Sequence, residues 1–180
     1  MLQSLIGLTR LIDAFTERTG NVIAWLNIGM VIGTVLVVIL RYAFNNSSIA
    51  LQEGVIYLHG AVFLLASAYT LKHNEHVRVD IFYQKFSPRG KALVNLLGSL
   101  FLLLPTLSYI CIESWPYIMQ SWQFKEVSSE AAGLPYVYIL KTLIIGMVVV
   151  LALQGIAEVF RSMITLIQPG TASDGDTNHA

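Results

Sequence analysis

The chain has 180 residues, of which 55% are hydrophobic and 12% are charged, and its mean hydropathy is +0.65. This composition excludes an ordinary soluble domain of that size and indicates a membrane protein. The formal net charge is zero, which gives no basis for a nucleic-acid partner. Cys111 is the only cysteine, so an internal disulfide and a cysteine-based metal site are excluded.

The first 21 residues carry a helical pattern in which apolar side chains share one face and charged side chains share the other. The apolar set is Leu5, Leu8, Ile12 and Phe15, and the charged set is Arg10, Asp13 and Glu17. The pattern predicts an amphipathic helix over residues 1–21 that lies in the membrane interface. The alternative is a segment that simply continues the first membrane span.

Four apolar segments follow. Because an α-helix rises about 1.5 Å per residue, a hydrocarbon core of about 30 Å needs roughly 20 mostly apolar residues. The sequence therefore predicts an all-α integral membrane protein with a four-helix membrane domain over residues 22–162. The predicted spans cover about 22–44, 49–71, 92–115 and 134–160. Residues 163–180 are predicted to form a disordered cytoplasmic tail.

The basic residues are distributed unevenly between the two sides of this four-span arrangement. One side has Arg10, Arg18, Lys72, Arg78, Lys85, Arg89, Lys91 and Arg161, and the other has Arg41, Lys125 and Lys141. The positive-inside rule then predicts that both termini are cytoplasmic. The loop between the second and third spans is cytoplasmic in this topology, and its basic residues favour an interfacial segment on the anionic membrane surface.

Ionisable residues inside apolar spans are costly and therefore informative. Arg41, Glu53, Glu113 and Lys141 all fall near the same ends of their four helices. They form either a buried cluster that binds an ion, or pairs with one another or with a partner subunit that fix helix packing. Replacing Lys141 with Met separates the two hypotheses, since only the first predicts normal folding with lost substrate uptake.

His59 lies in the body of the second span, where an imidazole can relay a proton or ligate haem. His59 and His73 have the fourteen-residue separation of di-haem helices, but no second helix offers partner histidines. We therefore expect no cofactor, and we interpret His59 as a side chain packed against another helix or subunit.

The stretch LQEGVIYLHGAVFLLASAYTLKHNEHVRVDIFYQKFSPRGKA, from Leu51 onward, resembles the small membrane subunit of tripartite ATP-independent periplasmic (TRAP) transporters, the DctQ type. The matching features are a Glu at the start of the second helix, small residues within it, and an HVRVD run after it. The later segment SWQFKEVSSEAAGLPYVYILKTLI is similar to the mannitol or chloroaromatic branch of that family. The likeness covers roughly residues 24–161, and Glu75 departs from the Gly that relatives often have at that position.

This resemblance implies a non-enzymatic role in the bacterial inner membrane. A periplasmic binding protein would capture an organic acid, and a large multi-span subunit would carry it together with sodium. The present chain would serve as a scaffold for that large subunit. Two other classes stay open on the residues alone: a self-assembling small transporter, and a haem-binding membrane anchor of a redox enzyme.

Two groups of residues are candidate partner contacts under this hypothesis. Arg78 and Asp80 would lock the cytoplasmic end of the second helix to the following segment or to the large subunit, and His76 would donate to a nearby carboxylate or carbonyl. The alternative is a solvated loop that obeys the positive-inside rule. Lys125, Glu126 and Glu130 are candidates for docking the periplasmic binding protein. Glu53, His59 and Lys141 complete the set of structural or partner-contact candidates.

Overall fold

The computed structural model describes residues 2–76, 83 and 85–167. Within these residues all of the regular secondary structure is helical. The helices are α1 (Leu2–Ala43), α2 (Ile49–Leu65), α3 (Ser67–Lys72), α4 (Pro88–Gly98), a π-helical segment (Ser99–Leu103), α5 (Leu104–Phe124) and α6 (Val137–Ile167). Four stretches are long and apolar enough to cross a membrane: Gln3–Ala43, Ile49–Lys72, Pro88–Phe124 and Val137–Ile167. The predicted all-α, four-span architecture is confirmed.

The beginning of the chain differs from the expected arrangement. Helix α1 continues through residue 21 without a break, so the structure does not separate an interfacial helix from the first span. The two expected faces are not kept apart, because Leu8 and Phe15 are exposed whereas Ile12 of the same apolar set is buried. Of the charged set, Arg10 is exposed but Asp13 has partners on another helix, described below.

Helices α1 and α2 form an antiparallel pair joined by a short polar turn. The Ser48 side chain caps α2 by accepting a hydrogen bond from the Leu51 backbone N–H. Gly33 permits close approach, since a Cβ atom there would lie 2.8 Å from Val55 Cγ2. Gly29 has more room, because the corresponding distance to Leu58 Cδ1 is 3.6 Å.

The third span is interrupted by the π-helical segment Ser99–Leu103. It ends two residues before Pro105, whose ring nitrogen cannot donate the hydrogen bond that an α-helix requires at that position. A π-helical turn is one of the recognised ways of accommodating such a disruption. Gly155 of α6 faces this segment, and a Cβ atom there would lie 2.9 Å from Leu103 Cδ2.

Helix α6 is the centre of the bundle and packs against α1, α2, α3, α4 and α5. Its buried face includes Ala157, which is fully enclosed, and Val148. The helix continues to Ile167, past the expected start of the tail at residue 163. Apolar side chains such as Ile164 and Leu166 extend its pattern beyond that point. Residues 168–180 lie outside the described part of the chain.

Candidate functional site: two polar layers of the helix bundle

A polar cluster joins three of the helices at one end of the bundle, and we call it the Arg161 layer. Its members are Asp13, Thr16, Asn95, Gln154, Glu158 and Arg161. Arg161 Nη2 donates to both carboxylate oxygens of Asp13 at 2.9 Å, and its Nη1 donates to Glu158 Oε2 at 2.5 Å. A guanidinium that bridges two carboxylates in this way fixes both distance and direction. The end of α6 is thereby tied to α1.

The same layer extends through neutral side chains. Gln154 has no exposed surface; its Nε2 donates to Asp13 Oδ1 at 3.0 Å and its Oε1 accepts from Thr16 Oγ1 at 2.7 Å. Asn95 Nδ2 donates to Glu158 Oε1 at 3.0 Å and thus brings α4 into the network. Each of these buried polar groups has a partner, as stability of a low-dielectric interior requires.

A second contact beside this layer ties α1 to α3. Lys72 Nζ donates to a carboxylate oxygen of Glu17 and, at 3.1 Å, to the Asp13 backbone carbonyl. The ring of His73 packs at a tilt against that of Tyr69, with 4.2 Å between centroids, and its Nε2 lies 3.5 Å from Glu17 Oε2. Helix α1 is therefore held from two directions.

The opposite end of the bundle has a second cluster, which we call the Glu53 layer: Glu53, Glu126, Ser128, Leu134 and Lys141. Glu53 accepts hydrogen bonds from the Ser128 hydroxyl and, at 2.6 Å, from the Leu134 backbone N–H. The Ser128 backbone N–H in turn donates to the Leu134 carbonyl at 3.1 Å. The α5–α6 loop is thus folded over the start of α2.

Gly133 makes this closure possible. A Cβ atom there would lie 2.4 Å from Ser128 Oγ and 2.8 Å from Glu53 Oε2, so any larger residue would push the loop away from the carboxylate. Only glycine leaves space for both hydrogen bonds to Glu53.

Lys141 occupies the other half of the Glu53 layer. Its Nζ lies 2.5 Å from Glu126 Oε2 and 3.9 Å from the centroid of the Tyr117 ring. The Lys141 ammonium, as a hydrogen-bond donor, lowers the pKa of Glu126 below its ordinary value. Lys141 therefore joins the loop and α5 to α6, and its partner is Glu126 rather than Glu53 or Glu113.

The candidate docking residues of the α5–α6 loop differ in their surroundings. Lys125 has a left-handed backbone and its Nζ lies 4.6 Å from the Trp122 ring and 5.0 Å from the Tyr138 ring. Glu126 is engaged by Lys141. Glu130 is exposed, and its side chain forms no ion pair within the described residues.

The other predicted residues are not brought into one site. His59 is exposed on α2 and stacks on Phe63 with 6.3 Å between centroids. His76 Nε2 lies 3.2 Å from the Ser67 carbonyl and 3.3 Å from Thr70 Oγ1, which turns the ring back onto α3. The candidates Arg78 and Asp80 lie outside the described residues.

A groove of about 580 Å³ lies between α4, the π-helical segment and α6. Its walls are largely apolar, and four of the polar residues that line it bond within the chain: Tyr83 to Asn95, Asn95 to Glu158, and His76 to α3. Among the described residues, no three His, Cys, Asp or Glu side chains form a group suited to hold a metal ion. The polar arrangement therefore connects helices to one another.

Long apolar helices joined by paired polar layers at both ends define a multi-span membrane protein. The chain belongs to the family described as "Tripartite ATP-independent periplasmic transporters, DctQ component", whose model matches residues 30–165. The prediction of a TRAP small membrane subunit is thereby confirmed, whereas the mannitol or chloroaromatic branch stays a prediction. No curated protein and no solved structure matches the chain.

This membership identifies the chain as a multi-pass protein of the bacterial inner membrane and a component of a transporter family rather than of an enzyme family. It also implies two partners, a large TRAP membrane subunit and a binding protein. Sequence reasoning missed most of the Arg161 layer. The available signal was that Gln154, Glu158 and Arg161 recur at helical spacing within an apolar span.

Proposed function

We propose that this chain is the scaffold for the large transport subunit of a sodium-coupled, binding-protein-dependent importer of an organic acid. In this role the small subunit stays fixed while the large subunit moves its substrate across the membrane. The chain itself carries neither substrate nor sodium.

The observation that carries the proposal is the paired polar layer at each end of the bundle. Arg161 ties α6 to α1 at one end, and Lys141 and Glu53 tie the α5–α6 loop to α6 and α2 at the other. Relative movement of these helices would break charge-assisted hydrogen bonds in a partly dehydrated environment, which is costly. Such a bundle is suited to a stationary role.

The mid-span side chains support the same conclusion. Transport sites place ionisable groups near the middle of the membrane, where they face a cavity or the bundle interior. Between the two polar layers, the described Asp, Glu, Lys, Arg and His residues are His59 and Glu113, and both are exposed on outward faces. Neither lies where a substrate enclosed by this chain would contact it.

We further propose that both termini are cytoplasmic, on the basis of the uneven distribution of Lys and Arg. The Arg161 layer is then cytoplasmic and the Glu53 layer periplasmic. In this orientation the exposed Glu130 is the candidate contact for the binding protein, since Lys125 and Glu126 already have partners. The pairing of Arg78 with Asp80 remains a prediction, and single and double charge reversals with complex assembly as the readout test it.

The test of the proposed function is reconstitution. The tagged chain is purified from its native host in mild detergent, and accompanying proteins are identified by mass spectrometry. Vesicles are then prepared with the large subunit alone, this chain alone, or both, and uptake is measured with binding protein under a sodium gradient. We expect uptake only when both are present. Uptake by this chain alone would refute the scaffold role, and its purification without a large partner would refute the complex.

A further inference from the structure

Helix α5 has one face that neither its neighbour α6 nor lipid explains. The side that packs on α6 contains Leu107, Ile118 and Ser121, each at most 3% exposed. The outward side carries exposed polar groups at helical spacing, which we call the Glu113 face. Its members are Thr106, Tyr109, Glu113 and Gln120, and Gln120 lies at its edge, where it also lines a small cavity with Lys141 and Glu126.

The depth of Glu113 can be derived from its neighbours. Tyr117 lies at the level of the Glu53 layer, because the Lys141 ammonium sits over its ring. Glu113 is four residues earlier on the same helix, and therefore about 6 Å nearer the middle of the span. Residues 92–112, immediately before it, contain no charged side chain. The carboxylate thus projects outward from the apolar part of the helix.

Within the described residues, Glu113 forms no ion pair. Lys141 is engaged by Glu126, and Arg41 is exposed on α1, a helix that does not pack against α5. A carboxylate facing lipid at this depth is strongly unfavourable, and such residues normally meet an opposite charge. None of the described basic residues supplies that opposite charge, which leaves a partner protein as its source.

The outward faces of the other helices differ in character. Helix α1 exposes Val31, Val35 and Val38, which suit a lipid environment, and its exposed Asn27 and Thr34 donate hydrogen bonds to carbonyls of their own helix. Helix α2 exposes Ile56 and Phe63 beside the single polar residue His59. The Glu113 face has a charge and three further polar groups, so it has the composition of a helix–helix interface in a membrane.

We infer that the Glu113 face is the interface with the large membrane subunit, and that this subunit presents an Arg or Lys side chain to the Glu113 carboxylate. The inference rests on the proposed function, since it identifies which surface of the scaffold the large subunit occupies. The Glu113 carboxylate needs an opposite charge at this depth, which a protein side chain supplies and a lipid tail does not. An arginine would also reach the hydroxyl of Tyr109 or the amide oxygen of Gln120.

The test uses the complete complex in native membranes. A photo-reactive benzoylphenylalanine is introduced at Tyr109 or Gln120, and matched probes are introduced at Val35 on α1 and Phe63 on α2. We expect the first two positions to give adducts with the large subunit in several-fold higher yield than the two controls. Adducts with the large subunit mainly from Val35 or Phe63 would overturn the inference and leave the proposed function intact.

Two other outcomes of the cross-linking experiment would also decide against the proposals. Adducts from Tyr109 and Gln120 only with lipid, or only with a second copy of this chain, would overturn the inference. If the large subunit neither cross-links from any position nor co-purifies, the proposed function itself fails.

A charge series provides a second, independent readout. We expect Glu113→Lys to reduce recovery of the large subunit in a detergent pull-down by at least about tenfold, and Glu113→Gln to reduce it less, because a neutral amide still accepts a hydrogen bond. The control Glu130→Lys makes the same change of charge on the α5–α6 loop and should preserve recovery of the large subunit. Equal monodispersity of the purified variants excludes misfolding. Undiminished recovery with Glu113→Lys would contradict the ion pair.

Discussion

Replacing Arg161 with Met removes the central cation of the Arg161 layer while preserving much of the side-chain volume. Arg161 donates three hydrogen bonds to two carboxylates, Asp13 and Glu158, and the residue Glu158 is only 7% exposed. Breaking a buried ion pair by removing one partner costs about 3–5 kcal/mol. Because the Arg161 side chain is itself 37% exposed, we reduce this to about 2–3 kcal/mol.

For a chain of this length, each kcal/mol shifts the melting temperature by about 2–4 °C. We therefore expect Arg161→Met to lower the melting temperature by roughly 4–12 °C in detergent, measured by intrinsic fluorescence during heating. The double variant Arg161→Met with Glu158→Gln should recover about 1 kcal/mol of that loss, since one of the two uncompensated carboxylates is then neutral.

One control and two refuting outcomes define the result. Glu158→Gln alone should be mild, because Arg161 keeps both hydrogen bonds to Asp13. An Arg161→Met variant as stable as the parent, or a double variant less stable than Arg161→Met, would refute the conclusion that this guanidinium holds the two carboxylates together.

Three further predictions concern packing and the Glu53 layer. Gly33→Ala should destabilise the bundle by about 1–2 kcal/mol in the same melting assay, whereas Gly29→Ala should be neutral within error, because only the first brings a methyl group within 2.8 Å of a neighbouring side chain. Since the pKa of Glu126 is lowered from 4.5, the stability that its pair contributes should be fully present above that pH and be lost as the pH falls below it. Melting curves between about pH 6 and pH 3.5 should show this loss, and Lys141→Met should remove that part of the pH dependence. Gly133→Ala should open the α5–α6 loop, so that limited proteolysis cuts it faster than in the parent; equal cleavage rates would contradict the closed loop.

The sequence was sufficient to predict the four spans because membrane crossing depends on the length and apolarity of a segment, and both can be read locally. It was insufficient for the start of α1. The charged side of residues 1–21 matched the pattern of a water-facing surface, yet Asp13 points into the bundle. The reason lies 148 residues away, at Arg161. A local pattern cannot reveal a partner contributed by a distant helix.

The individual site residues show the same limit. The position of Lys141 near a helix end indicated an ion pair, but the pattern did not select Glu126 among the available carboxylates. That choice depends on how the α5–α6 loop folds, and the loop depends on Gly133 and on the hydrogen bonds to Glu53. Glu113 could be recognised as a charge near the end of a span. Its outward direction became evident only when the buried face of α5 was known.

The π-helical segment also acts as a phase shift between two halves of one span. Each residue turns an α-helix by about 100°, so one additional residue in Ser99–Leu103 rotates everything after it relative to everything before it. Asn95, on the early half, faces Glu158, while Leu107 and Ile118, on the later half, face α6. Deleting one residue from the segment would rotate the later half relative to the early half, so that Asn95 and Leu107 could not both keep their contacts with α6. If the later half gave way, Glu113 would rotate with it. The direction in which the span presents its charge is thus encoded several turns away, in the irregularity beside Pro105.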